Sequence, residues 1–123
     1  MKILLVDDDL ALLMVASMAL EDLGGMQVVR AQGGIQALTE AQNERPDAIL
    51  MDIVLPDIDG TEVLKRLRQN EKTRDIPVIF HTAKRSRSEA KRLVAMGAKG
   101  VIVKPFDPMK LHREVQRILA IPG

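Results

Sequence analysis

Ile3-Leu4-Leu5-Val6-Asp7-Asp8-Asp9, at residues 3–9, sets an unalternated apolar run directly against three carboxylates. Four apolar residues are too few for a stable helix, and a run without period-two alternation suits a strand covered on both faces. Short runs of the same kind recur at 28–29, 48–51, 76–80 and 101–103. Between them the spacing is helical: Leu10/Leu13/Met14/Met18, Ile35/Leu38, Val63/Leu64/Leu67, Leu93/Met96 and Leu111/Val115/Ile118. Gly24-Gly25 is expected to end the first helix, Asp59-Gly60 to open the third, Gly97 to close the fourth and Asp107-Pro108 to start the fifth. Five strand-helix units predict an α/β fold with a mainly parallel sheet, helices on both faces and right-handed crossovers.

The length of 123 residues, with 46% hydrophobic and 28% charged content, fits one domain. The chain has no cysteine, which excludes a disulfide scaffold, a thiol nucleophile and any thiolate metal site. A metal must then sit on oxygen or on His81 and His112. The longest apolar run, 10–20, is interrupted by Ser17 and bracketed by Asp9 and Glu21. It falls short of the ~20 residues a bilayer span needs, and the start of the chain lacks a signal peptide's core, so the expectation is a cytoplasmic chain without a membrane partner. The formal charge is +1, yet residues 1–83 hold 8 Lys/Arg against 14 Asp/Glu (−6) while residues 84–123 hold 10 against 3 (+7). The first part calls for a cation, and the second suits an acidic surface.

In a parallel sheet all strands point one way, so Asp7-Asp8-Asp9, Asp52, His81-Thr82 and Lys104 are expected on one edge, where such folds bind ligands. Singly, each has a plainer explanation: Asp8 or Asp9 as a helix cap, Asp52 or Thr82 in a turn, Lys104 as a solvated strand end. Their coincidence at four strand ends weakens those explanations together. Crowded carboxylates repel unless a cation neutralises them, and a hard ion such as Mg²⁺ takes one or two carboxylates together with phosphate oxygens. Lys104 and Thr82 then read as phosphate ligands.

The stretches Leu5-Val6-Asp7-Asp8, Met51-Asp52-Ile53-Val54-Leu55-Pro56-Asp57-Ile58-Asp59-Gly60, Thr82-Ala83 and Lys104-Pro105-Phe106 resemble the receiver domains of two-component response regulators, over essentially the whole chain. The resemblance implies a flavodoxin-like, doubly wound sheet of order 2-1-3-4-5 in three layers. It implies a single receiver domain over residues 1–123, with no output domain in this sequence. Asp52 would be the phosphoacceptor, served by a phosphohistidine of a sensor histidine kinase or histidine phosphotransfer protein. Asp7, Asp8, Asp52 and the Val54 carbonyl would hold Mg²⁺, with Mn²⁺ as the alternative ion. Lys104 would neutralise a phosphoryl oxygen and Thr82 would bond another, relaying the change to the surface of the fourth helix, fifth strand and fifth helix. The Lys104-Pro105 peptide would be cis. The chain would be no enzyme beyond its own phosphorylation and dephosphorylation, and a monomer or weak dimer.

Several positions depart from the family pattern. Val101 stands where the family usually carries a Tyr or Phe rotamer switch, and Lys99-Gly100-Val101 replaces the Asp-Asp-Tyr of regulators that dimerise through helices four and five. Val54 and Lys84, two residues after Asp52 and Thr82, occupy places that tune water access, and an apolar Val54 implies a long-lived phosphorylated state. Lys84, Arg85, Arg87, Lys91 and Arg92 surround only Glu89, either as a solvated face or as a docking surface for an acidic downstream protein. With Phe80 and Phe106 as its only aromatic residues, the chain is not expected to bind nucleic acid directly. His81 is read as a pocket wall, His112 as a surface residue, and the methionines mostly as core filler. The competing enzyme reading is a magnesium-dependent aspartyl phosphatase of the haloacid-dehalogenase type. That class needs an acid two residues after the nucleophile, where Val54 stands. A nucleotide-binding module would need GxxxxGK[ST] or GxGxxG, and Gln32-Gly33-Gly34 supplies neither.

Overall fold

The computed structural model describes residues 1–83 and 87–120, with only the backbone at Arg87. The order is β1 (Lys2–Val6), α1 (Leu10–Asp22), β2 (Gln27–Ala31), α2 (Gly34–Glu44), β3 (Ala48–Asp52), α3 (Gly60–Gln69), β4 (Val78–Thr82), α4 (Arg87–Ala95), β5 (Gly100–Val103) and α5 (Leu111–Leu119). The strands are all parallel, in the order β2-β1-β3-β4-β5. This is the flavodoxin-like α/β arrangement that the resemblance implies.

Successive side chains of a strand point to opposite faces, so each central strand feeds two cores. Ile3, Leu5, Leu50, Ile79 and Ile102 pack under α1 and α5 with Leu13, Leu20, Leu111 and Val115. Leu4, Val6, Ile49, Met51, Val78 and Phe80 pack under α2, α3 and α4 with Ala37, Leu64, Leu67 and Leu93. Burial on both faces is why these strands carry no alternation.

Several sequence expectations change. On α1, Leu13 is buried, but Leu10, Met14 and Met18 are exposed; the inward face is Leu13, Ala16, Ser17, Ala19 and Leu20. The helix is apolar all round, so its spacing could not select a face. Ile35 and Met96 also point outward. Of the methionines, only Met26 and Met51 are buried, against the expectation of core filling. Strand β4 runs from Val78 to Thr82 rather than over 76–80, because Pro77 has no N–H to donate to the ladder. Asp107 starts a turn instead of a helix: its Oδ1 accepts from Met109 N at 2.9 Å and its carbonyl from Lys110 N at 2.9 Å, and α5 begins at Leu111. His112 is half-buried, with Nδ1 enclosed, not a surface residue.

The caps at the site end agree with the reading. Asp9 caps α1, its Oδ1 accepting from Leu12 N at 3.1 Å, and Asp59 caps α3, its Oδ1 accepting from Thr61 N at 2.7 Å. Gly25 and Gly97 take positive φ after α1 and α4, where a side chain would be strained. Among the described residues no helix is long and apolar enough to cross a membrane.

Candidate functional site

Register fixes which strand ends meet. Val6 pairs with Met51, Asp52 with His81, and Thr82 with Val103, so the residues that follow β1, β3 and β5 emerge on one edge. There Asp7, Asp8 and Asp52 each offer a carboxylate oxygen within 4.8 Å of the other two. Asp7 is buried, Asp8 exposed, and the Asp52 side chain 13% exposed.

Lys104 ties the acids together. Its Nζ donates to Asp7 Oδ2 at 2.8 Å and to Asp52 Oδ2 at 2.9 Å. Burial alone would lower the Lys104 pKa, but the hydrogen bonds and charges of the two aspartates outweigh it and raise it, so the ammonium is firmly charged. The other oxygens are also held: Asp7 Oδ1 accepts from Asp9 N at 2.9 Å and Asp52 Oδ1 from Val54 N at 3.2 Å. The Lys104-Pro105 peptide that delivers the lysine is cis.

A cavity of about 600 Å³ opens beside this cluster, lined by Asp52, Ile53, Val54, Thr82, Lys104 and, across from them, Glu89 and Arg92. Of the residues that the sequence placed at the site, the structure brings together Asp7, Asp8, Asp52, Thr82, Lys104 and Val54. Lys84 and Arg85 lie outside the described residues, as does the side chain of Arg87. His81 is not a cavity wall. It is 1% exposed, lies under the Phe106 ring with centroids 5.0 Å apart, and has no partner on either ring nitrogen. Burial first, and then the Lys104 charge, push its pKa down to about 4 against the opposing pull of Asp7, so the ring stays neutral.

Three features went unread in the sequence. Glu89 and Arg92 reach the cavity from a helix flank, which no strand-end argument selects. Asp57 caps α2 from the β3–α3 loop, its Oδ1 and Oδ2 accepting from Gly34 N at 2.8 Å and Ile35 N at 2.9 Å. These backbone donors hold its pKa down at about 2. The third is an apolar groove of about 660 Å³ beside Lys104, lined by Ala11, Leu12, Val15, Pro105, Phe106 and Pro108 among others. The Pro-Asp-Ile-Asp-Gly spacing offered a signal for the Asp57 cap, since an aspartate in a turn readily accepts from backbone N–H groups.

The donor set is all oxygen, crowded and partly buried, which suits a hard divalent cation rather than a soft one.

The family model for the response regulator receiver domain matches residues 3–116. The alkaline phosphatase synthesis transcriptional regulatory protein PhoP of Bacillus subtilis is 36% identical over 118 residues, covering 96% of this chain and 48% of that protein. The chain thus spans about half the length of the curated transcriptional regulators it matches. The chemotaxis response regulator CheY4 of Vibrio cholerae superposes with a TM-score of 0.89 at 35% identity, covering 96% of this chain and 98% of that one. The receiver domain of sensor histidine kinase PA1611 from Pseudomonas aeruginosa, solved with magnesium coordinated in its active site cleft, gives 0.83 at 35% identity, covering 94% of each chain. Nothing among these relatives favours the phosphatase reading. On fold, motifs and family match alike, the chain belongs to the response regulator receiver domain family, a signalling domain of two-component systems.

Proposed function

We propose that this chain takes a phosphoryl group onto Asp52 from the phosphohistidine of a sensor histidine kinase or histidine phosphotransfer protein, and thereby alters the α4, β5 and α5 surface that a downstream protein reads. The observation carrying this is the single ammonium of Lys104 shared by Asp7 and Asp52 beside Asp8. Such a cluster is balanced for anion chemistry only with further positive charge.

In the transfer an Asp52 oxygen bonds to phosphorus while the P–N bond to the donor imidazole breaks. The electron pair stays on that nitrogen, which takes a proton from water, and Asp52 becomes a mixed anhydride. Asp7, Asp8, Asp52 and the Val54 carbonyl would hold Mg²⁺, or Mn²⁺ in its place, which when bound supplies charge neutralisation for the phosphoryl oxygens. Asp7, buried and fixed by the Asp9 N–H, orients one carboxylate without solvent. Lys104 follows the new charge from the Asp52 carboxylate to a phosphoryl oxygen, and the Thr82 hydroxyl bonds another.

The donor protein is assigned to the groove beside Lys104, whose apolar wall continues onto the exposed Met18 and Met109 of a neighbouring hollow. The downstream partner is assigned to the basic α4 region, where Lys91 is exposed. The setting proposed for the chain is the cytoplasm, with no direct contact of this domain to nucleic acid or membrane, as a monomer or weak dimer.

The test is intact mass after incubation with Mg²⁺ and a small phosphodonor. One added phosphoryl group is expected on the wild type and none on Asp52→Asn; label on another residue overturns the assignment.

A further inference from the structure

The cavity beside Asp52 has a wall that the family motifs do not account for. Glu89 and Arg92 of α4 line the same space as Asp52, Thr82 and Lys104. Arg92 Nη2 and Nε donate to Glu89 Oε1 and Oε2 at 2.8 and 3.2 Å, and Nη1 reaches Met96 Sδ at 3.7 Å. The Arg92 side chain is 55% exposed and that of Glu89 17%.

An exposed i,i+3 pair contributes little to stability by itself. Its position is what matters: the pair places a positive and a negative charge at the wall of a cavity in which, on the reading of Asp52 above, a phosphoryl group must be housed. That group carries close to two negative charges at neutral pH, about one more than the carboxylate it replaces. The guanidinium therefore favours the loaded state, and the carboxylate opposes it.

We propose that Arg92 and Glu89 form an opposed charge pair that sets the affinity of the Asp52 site for a tetrahedral anion, with Arg92 strengthening it and Glu89 weakening it. This rests on Asp52 being the phosphoacceptor. The two side chains act through the field in the cavity and need not touch the anion, so they are positioning groups and not catalytic ones. A unit charge across a cavity of this size, partly open to water, shifts binding by roughly three- to tenfold.

The pair gives a test that separates this role from helix stability. If it only braces α4, Arg92→Gln and Glu89→Gln both loosen the helix and shift any property in the same direction. If it tunes the cavity, they shift anion affinity in opposite directions. The probe is beryllofluoride, a tetrahedral phosphoryl mimic, titrated into the Mg²⁺-loaded full chain and followed by fluorine NMR, with Asp52→Asn as the blank. Arg92→Gln is expected to weaken binding about fivefold and Glu89→Gln to tighten it about threefold at low salt. Arg92→Lys, which keeps the charge, is expected to restore most of the affinity, and both shifts should shrink as ionic strength rises. Any other pattern in a wild type that binds the probe overturns the proposal and leaves the phosphoacceptor reading standing. A wild type that binds no more probe than Asp52→Asn overturns that reading as well.

Discussion

Replacing Lys104 with Met keeps most of the apolar stem and removes one positive charge from the acidic cluster. The ammonium lies 2.8 Å from Asp7 Oδ2 and 2.9 Å from Asp52 Oδ2, and the three side chains are 20%, 1% and 13% exposed. Opposite unit charges about 4 Å apart attract by ~4 kcal/mol at an effective dielectric of ~20. Desolvation of all three groups consumes much of that gain. Removing one partner leaves Asp7 and Asp52 facing each other without compensation, a loss of roughly 3–5 kcal/mol. Lys104→Met is therefore expected to lower stability in EDTA by about 3 kcal/mol.

Mg²⁺ should narrow that gap, because at the proposed site the cation and the ammonium would compete for the same oxygens. A tenfold gain in Mg²⁺ affinity on losing the lysine adds about 1.4 kcal/mol of metal-dependent stabilisation. The assay is urea unfolding followed by far-ultraviolet circular dichroism, in EDTA and in saturating Mg²⁺, since the chain has no Trp or Tyr to report by fluorescence. A deficit in the variant of the same size in both buffers would refute the competition. No deficit in EDTA would refute the electrostatic account of the cluster.

Gly60→Ala would put a Cβ 2.4 Å from the Asp52 carbonyl oxygen and 3.0 Å from Ile53 Cα, backbone atoms that cannot rotate away. A loss of about 1–3 kcal/mol in thermal unfolding is expected, and labelling of Asp52 by a small phosphodonor should slow at least ~10-fold as the acceptor shifts. Asp57 has a folded pKa of about 2 against 3.8 for the free group. Its contribution is therefore complete above pH 3.8 and lost as pH falls towards 2, so the wild type should lose stability across that window more steeply than Asp57→Asn. Equal slopes in acid titrations of unfolding would remove that role for the α2 cap. Val54 is 73% exposed and offers no polar group to orient water, so Val54→Asn is expected to speed dephosphorylation several-fold. An equal or slower rate in the variant ends that argument.

The central strands β1, β3 and β4 were legible because burial on both faces leaves a mark that needs no partner to interpret: short apolar runs without alternation. The site's strand-end residues followed from direction alone, since parallel strands deliver Asp7, Asp52, Thr82 and Lys104 to one edge. The inward face of α1 was not legible. Its inward face sets the small Ala16, Ser17 and Ala19 beside Leu13 and Leu20, while Leu10, Met14 and Met18 stay outside, so hydrophobicity alone could not choose the face. The same holds on α2, where Gly34, Ala37 and Ala41 face inward; a Cβ on Gly34 would lie 2.5 Å from Ile58 Cγ1. Glu89 and Arg92 were visible only as charges, because a helix wall meets the cavity through crossover geometry that no local period records.

The two walls of the cavity beside Asp52 are built differently among the described residues. The β3–α3 side is fastened at two points: Gly60 N donates to the Ile53 carbonyl at 2.7 Å, and Asp57 bridges to the start of α2. Behind it α3 buries Val63, Leu64 and Leu67. On the other side, α4 offers Leu93 to the core while Val94, and Met96 just past its end, stay exposed. Less buried apolar area means a smaller free energy for local displacement. A phosphoryl group on Asp52, as proposed, would act on both walls, and the fastened loop cannot yield without breaking caps and core contacts, whereas Leu93 is the one fully buried residue among the described side chains of α4. On the proposed function, strain generated at Asp52 would then be relieved through α4, and the surface expected to change first is the one carrying Lys91 and Arg92.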